Sequence, residues 1–114
     1  MEQLTEVAVR RRTAEALQVL GLPQTEDNIQ MLAIFTRSLI KYIEREEEYG
    51  QTWKQFDPAD AAHHARHKAS RMWACAERPN NVEAGEIVMA AGIDSAIDIC
   101  NYAAFYIRHF EGTK

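Results

Sequence analysis

The chain has little of what breaks or staples a small fold. Three prolines and five glycines in 114 residues leave few enforced turns, and two cysteines cannot build a disulfide framework. No segment alternates apolar and polar residues with the period of a strand, so a sheet is not the organising element. No apolar stretch approaches the roughly 18 residues of a membrane span. Arg10, Arg11 and Arg12 are not followed by the apolar run of a signal peptide. Repeats, low-complexity tracts and linkers are missing too, which predicts one domain over residues 1–114. Positive charge is in deficit: 13 Lys and Arg stand against 17 Asp and Glu, a net charge of −4. Nothing in that balance attracts a nucleic-acid backbone or an anionic membrane. An anionic ligand would need a local basic patch or a bridging metal. Cys75 and Cys100 read as reduced, semi-buried thiols of a cytoplasmic protein.

What the chain does have is helix-forming sequence with 46% apolar residues, enough for an all-α bundle of four to five helices. The first helix is predicted over about 4–20, ended by Gly21 and Pro23. Thr25 caps a second, with Glu26 and Asp27 in its first turn, running to Tyr49 and Gly50. Its seam is Ile29, Leu32, Thr36, Leu39 and Ile43, and Met31, Ile34 and Phe35 widen the apolar face. That width predicts a homodimer or larger assembly. Asp57 followed by Pro58 starts a third helix, with Ala62, Ala65, Ala69, Trp73 and Ala76 as its seam. A last helical region spans 82–110, with Gly92 as a break or kink and the seam Ile93, Ile97, Cys100, Ala104 and Ile107.

Four groups carry candidate chemistry. Glu44, Glu46, Glu47 and Glu48 crowd the C-terminus of the second helix, where they repel each other and oppose the helix dipole. A divalent cation would compensate; so would solvent with Lys41 and Arg45 as partners. Asp94, Asp98 and Asn101 fall at i, i+4 and i+7 beside the last seam, where acids need a partner or a metal. Carboxylates from two packed helices suit Mg²⁺, which takes oxygen ligands and bridges to phosphate. On the third helix His64, Lys68 and Arg71 share a face that would meet phosphate oxygens, or form a solvated basic surface. His63 and His67 have zinc-compatible spacing, but no acid stands at the HExxH position and no third ligand is evident. Tyr49 and Trp53, around Gly50, would stack on a base, or Trp53 and Phe56 would plug the helical core.

The order of these features resembles a family. Glu48-Tyr49-Gly50, then His67-Lys68-Ala69-Ser70-Arg71, then the run from Asp94 through Asp98 to Tyr102-Ala103 are similar to the MazG-like, nucleotide-modification-associated phage and bacterial proteins. Those look like relatives of the all-α nucleoside-triphosphate pyrophosphatases. The likeness covers about residues 40–107. It implies a helical, often dimeric protein in which Mg²⁺ supports cleavage of an NTP or dNTP to monophosphate and pyrophosphate. By position, Glu44, Glu48, Asp94 and Asp98 would hold metal, with Glu47 and Glu48 as catalytic acids. Lys68, Arg71, His64 and His67 would contact phosphate, and Asn101 and Tyr102 would line the nucleotide pocket beside Tyr49 and Trp53. Two departures stand out. The second acidic pair is Asp94-x-x-x-Asp98, one residue wider than in relatives, and Ala90 occupies a position where they carry an acid, with Glu86 one turn earlier. The resemblance therefore implies a Mg²⁺-dependent pyrophosphohydrolase, with a non-catalytic nucleotide-sequestering protein or a helical interaction module as the alternatives.

Overall fold

A computed structural model describes residues 5–50, 56–77 and 82–111, with side chains at all of these except 49 and 82–85. Among the described residues there are four α-helices and no strand: α1 (Glu6–Val19), α2 (Glu26–Tyr49), α3 (Pro58–Glu77) and α4 (Val82–Glu111). The all-α class follows from the helix-period patterning of the sequence. The chain forms two compact units, Met1–Arg37 and Ser38–Lys114, and α2 contributes to both.

The first unit is built around two caps. Thr5 Oγ1 accepts from the Ala8 amide at 3.2 Å and opens α1. At the other end the Leu22 amide donates to the Leu17 carbonyl at 2.9 Å and the Gly21 amide to that of Gln18 at 3.0 Å. This is a Schellman closure, and it requires the left-handed backbone of Gly21, at φ 73°. Thr25 caps α2 by accepting from the Asn28 amide at 3.1 Å. Thr13 and Leu17 are the buried residues of α1, and Arg10 pairs with Glu26 across to the start of α2.

In the second unit α3 and α4 pack along each other. Asp57 Oδ1 accepts from the Asp60 amide at 2.8 Å, with Pro58 at the first helical position where its missing N–H is not needed. Ala61 and Phe105 form the buried apolar centre, with Tyr42, Phe56 and Tyr102 packed against it. Phe56 thus plugs the core as one of the two sequence readings has it.

Three expectations are corrected here. Gly92 does not break α4, which continues through it. Its role is closeness: a Cβ placed on Gly92 would lie 3.3 Å from Cβ of Cys75 on α3. The apolar seams are also not where the core is. On α3 the face toward α4 is turned by one residue, to Ala61, His64, Ala65, Lys68 and Cys75, leaving Ala62, Ala69, Ala76 and Trp73 exposed. On α4 the buried residues are Ser95, Asp98 and Phe105, while Ile93, Ala104 and Ile107 are exposed. The third correction concerns apolar length. Glu86–Glu111 is long and apolar enough to cross a membrane by length and composition. Alanine, glycine and cysteine fill the gaps between its larger apolar residues, and few charges interrupt it.

The rotation of both faces has one physical source. A carboxylate 1% exposed, that of Asp98, must have partners. Helix faces carrying those partners turn inward, and the apolar seams turn outward.

Candidate functional site: a buried carboxylate among three cations

Asp98 lies on α4, three residues after buried Ser95 and so on the same face. Facing it from α2 are Lys41 and Arg45, one turn apart, and from α3 Lys68. Lys41 Nζ donates to Asp98 Oδ1 at 2.7 Å and to Asp94 Oδ1 at 2.5 Å. Arg45 Nη1 stands 3.5 Å from Asp98 Oδ1, an ion pair at longer range. Lys68 Nζ lies 3.0 Å from Asp98 Oδ2. Ser38, one turn before Lys41, is buried, and its hydroxyl has no hydrogen-bond partner among the described residues.

The electrostatics follow from that list of neighbours. Burial alone would push the Asp98 carboxyl up, because the charged form loses solvent. The hydrogen bonds from Lys41 and Lys68, with the charges of Lys41 and Arg45, outweigh it, and Asp98 is held below the usual carboxylate range. For Lys41, partial burial works to lower the ammonium's affinity for its proton, but Asp94 and Asp98 prevail and raise it. Asp98 and Lys41 are therefore both charged throughout the neutral range. Three cations face two carboxylates, so the cluster carries one positive charge in excess.

An aromatic layer closes one side. His64 precedes Lys68 by one turn on α3, and Tyr102 follows Asp98 by one turn on α4. Their rings stack at 5.2 Å and 17°. Phe56 meets His64 edge-on at 5.0 Å, and Tyr42 accepts a hydrogen bond from Arg108 at 3.1 Å.

No known family matches this chain, and no curated protein or solved structure does either.

The site read from sequence is only partly gathered. Asp94, Asp98 and Lys68 come together, and Tyr102 and His64 adjoin them. Asn101 is half-buried. Glu44, Glu47 and Glu48 are exposed at the end of α2. Arg71 is exposed as well. His67 turns the other way, its ring 4.6 Å from that of His63, and with Arg66 and Ser70 the two histidines line a separate cavity of about 240 Å³. The base-stacking pair falls outside the described residues, Trp53 entirely and Tyr49 by its side chain. Lys41 and Arg45 were legible only as partners of the acidic run. The signal that could have reassigned them is their i, i+4 spacing, which matches Asp94 and Asp98 across the bundle.

The two aspartates of the cluster are engaged by lysine. Among the described residues no three His, Cys, Asp or Glu side chains are grouped to hold an ion.

Proposed function

We propose that the chain binds the phosphate of a nucleotide without converting it, at the cation cluster that Asp98 assembles from α2 and α3. The observation behind this reading is the excess: Lys41, Arg45 and Lys68 converge on one buried carboxylate. Arg45 is 43% exposed and only loosely engaged, so its planar donors are available to an oxyanion. Asp98 in this reading is a positioning residue that holds the cations against their mutual repulsion. The His64–Tyr102 stack walls the site on the core side.

The test is calorimetric titration with a panel of NTPs, dNTPs and cyclic dinucleotides, in EDTA and again in Mg²⁺, with pyrophosphate release followed in parallel. Binding that persists in EDTA, with no pyrophosphate released, is expected. Arg45→Met and Lys68→Met should each weaken it at least tenfold. Absence of binding by the whole panel would leave the interaction-module reading.

The resemblance supports a second reading, a Mg²⁺-dependent pyrophosphohydrolase. What favours it is that Glu44, Glu47 and Glu48 remain exposed on the helix that supplies Lys41 and Arg45. Pyrophosphate release that needs Mg²⁺ and is lost in Glu48→Gln would establish it in place of simple binding.

A further inference from the structure

The outward face of α4 is a second, unused apolar surface. Met89, Ile93, Ala96, Cys100, Ala103, Ile107 and Phe110 follow one another at strict alternating steps of four and three. That is the heptad seam of a paired helix. Its large members are uncovered: Met89 is 61% exposed, Ile93 43%, Ile107 53% and Phe110 68%. At 100° per residue the seam lies opposite Asp98, so one helix carries the ion cluster inward and the heptad outward. Between Ile87 and Ile107 the only charged residues are Asp94 and Asp98, and both engage Lys41. The positions flanking the seam are Ala90, Ile97 and Ala104 on one side and Gly92, Ile99 and Tyr106 on the other.

The seam reads the same in both directions. Large residues stand at both ends, and Ala96, Cys100 and Ala103 are small at the middle. Turned about a two-fold axis at Cys100, Ile93 meets Ile107, Ala96 meets Ala103, Met89 meets Phe110, and Cys100 meets its own copy. Such self-complementarity is what an isologous interface requires. The area is adequate. From Met89 to Phe110 the helix runs roughly 32 Å. Its four large side chains leave roughly 400 Å² per copy uncovered, taking each as roughly 150–200 Å² in full. With the small and flanking residues, a pair approaches roughly 1,000 Å², the lower bound of a specific interface.

We propose that α4 docks antiparallel against α4 of a second copy of this chain, along this seam and with Cys100 at the two-fold axis. The proposal is independent of the phosphate site, which occupies the other side of the helix.

The test uses the full chain in three measurements. In sedimentation at tens of micromolar, wild type should run as a dimer of the 13.0 kDa chain. Ile93→Lys and Ile107→Glu, each alone, should run as monomers that keep their helical circular dichroism. The double variant I93K/I107E should recover the dimer, because antiparallel pairing sets each lysine against the partner's glutamate. Mild oxidation of Cys75→Ser should yield a covalent dimer, and Cys100→Ser should yield none. A monomeric wild type, a dimer indifferent to both single charges, a double variant that stays monomeric, or crosslinking through Cys75 alone would each overturn the proposal. So would partition of the chain into phosphatidylcholine vesicles on flotation, which would make lipid the occupant of the seam.

Discussion

Lys68 Nζ stands 3.0 Å from Asp98 Oδ2, while Lys41 Nζ stands 2.7 Å from Oδ1, so each oxygen of the buried carboxylate has its own ammonium. A carboxylate shared in this way is worth most as a partner. Removing it leaves three cations facing one another with Asp94 alone to offset them.

Asp98→Asn should therefore destabilise the chain by about 1–3 kcal/mol. The figure sits below that of a fully buried broken pair because Lys41, Lys68 and Arg45 retain some access to water. The loss should be the same in EDTA and in Mg²⁺. Thermal melts of both proteins under both conditions measure it. A variant as stable as wild type without metal, and less stable only with it, would mean that the carboxylate serves an ion.

The pH dependence has a fixed sign. Asp98 is depressed in the folded state, so its contribution is complete above the ordinary carboxylate value of about 3.9 and is lost as pH falls below that. Lys41 is raised, so its contribution is complete below about 10.4 and is lost only as pH climbs past that. Urea midpoints should show the gap between wild type and Asp98→Asn at neutral pH and its closure toward pH 2. A gap unchanged in strong acid would rule out the ion pair as its origin.

Two glycines should respond to substitution for opposite reasons. Gly21→Ala meets nothing within 4 Å, yet φ 73° is unfavourable for a side chain, so a loss of about 1 kcal/mol is expected from backbone alone. Gly92→Leu lies in ordinary helix, where leucine would normally gain about 0.8 kcal/mol. Here it drives into Cys75 and should instead cost about 2 kcal/mol. Chemical denaturation gives the sign directly; a stabilised Gly92→Leu would show that α3 and α4 are not in close contact there.

Helix positions were legible because they rest on local chemistry. Asp57-Pro58, Thr25 with Glu26, and Gly21 act within a few residues of themselves, and the observed boundaries of α1, α2 and α3 follow them. The faces were not legible, because hydrophobic periodicity assumes that the most apolar stripe is the inner one. α4 has two usable stripes, and which of them turns inward depends on Lys41 and Lys68, residues 57 and 30 positions away from Asp98. The same non-locality hid Lys41 and Arg45 behind the louder signal of Glu44, Glu46, Glu47 and Glu48.

Phe105 concentrates much of the apolar packing of the second unit, touching Tyr42 at 5.7 Å, Tyr102 at 5.9 Å and Phe56 at 6.0 Å between ring centres. Phe105→Ala should cost about 3–5 kcal/mol. Trp73→Ala, larger by volume but exposed, should cost well under half of that in dilute solution. Equal losses in denaturant titrations would place the core elsewhere.

On the face of α3 toward α4, Ala61 and Ala65 are small and offer little steric resistance to sliding. The buried carboxylate makes sliding discontinuous. A shift of one turn would take Lys68 out of reach and bring His64, or Arg71 and Met72, opposite Asp98. Only the observed alignment gives Asp98 Oδ2 the Lys68 ammonium together with Lys41 on Oδ1, so the ion cluster acts as a detent that favours this pairing over others of similar apolar merit. A chain carrying both Asp98→Asn and Lys68→Met should then lose uniqueness before it loses helix. Doubled or broadened amide resonances along α3, with circular dichroism unchanged, would be the sign of it; one sharp set would mean that packing at Ala61 and Gly92 is sufficient to fix the alignment.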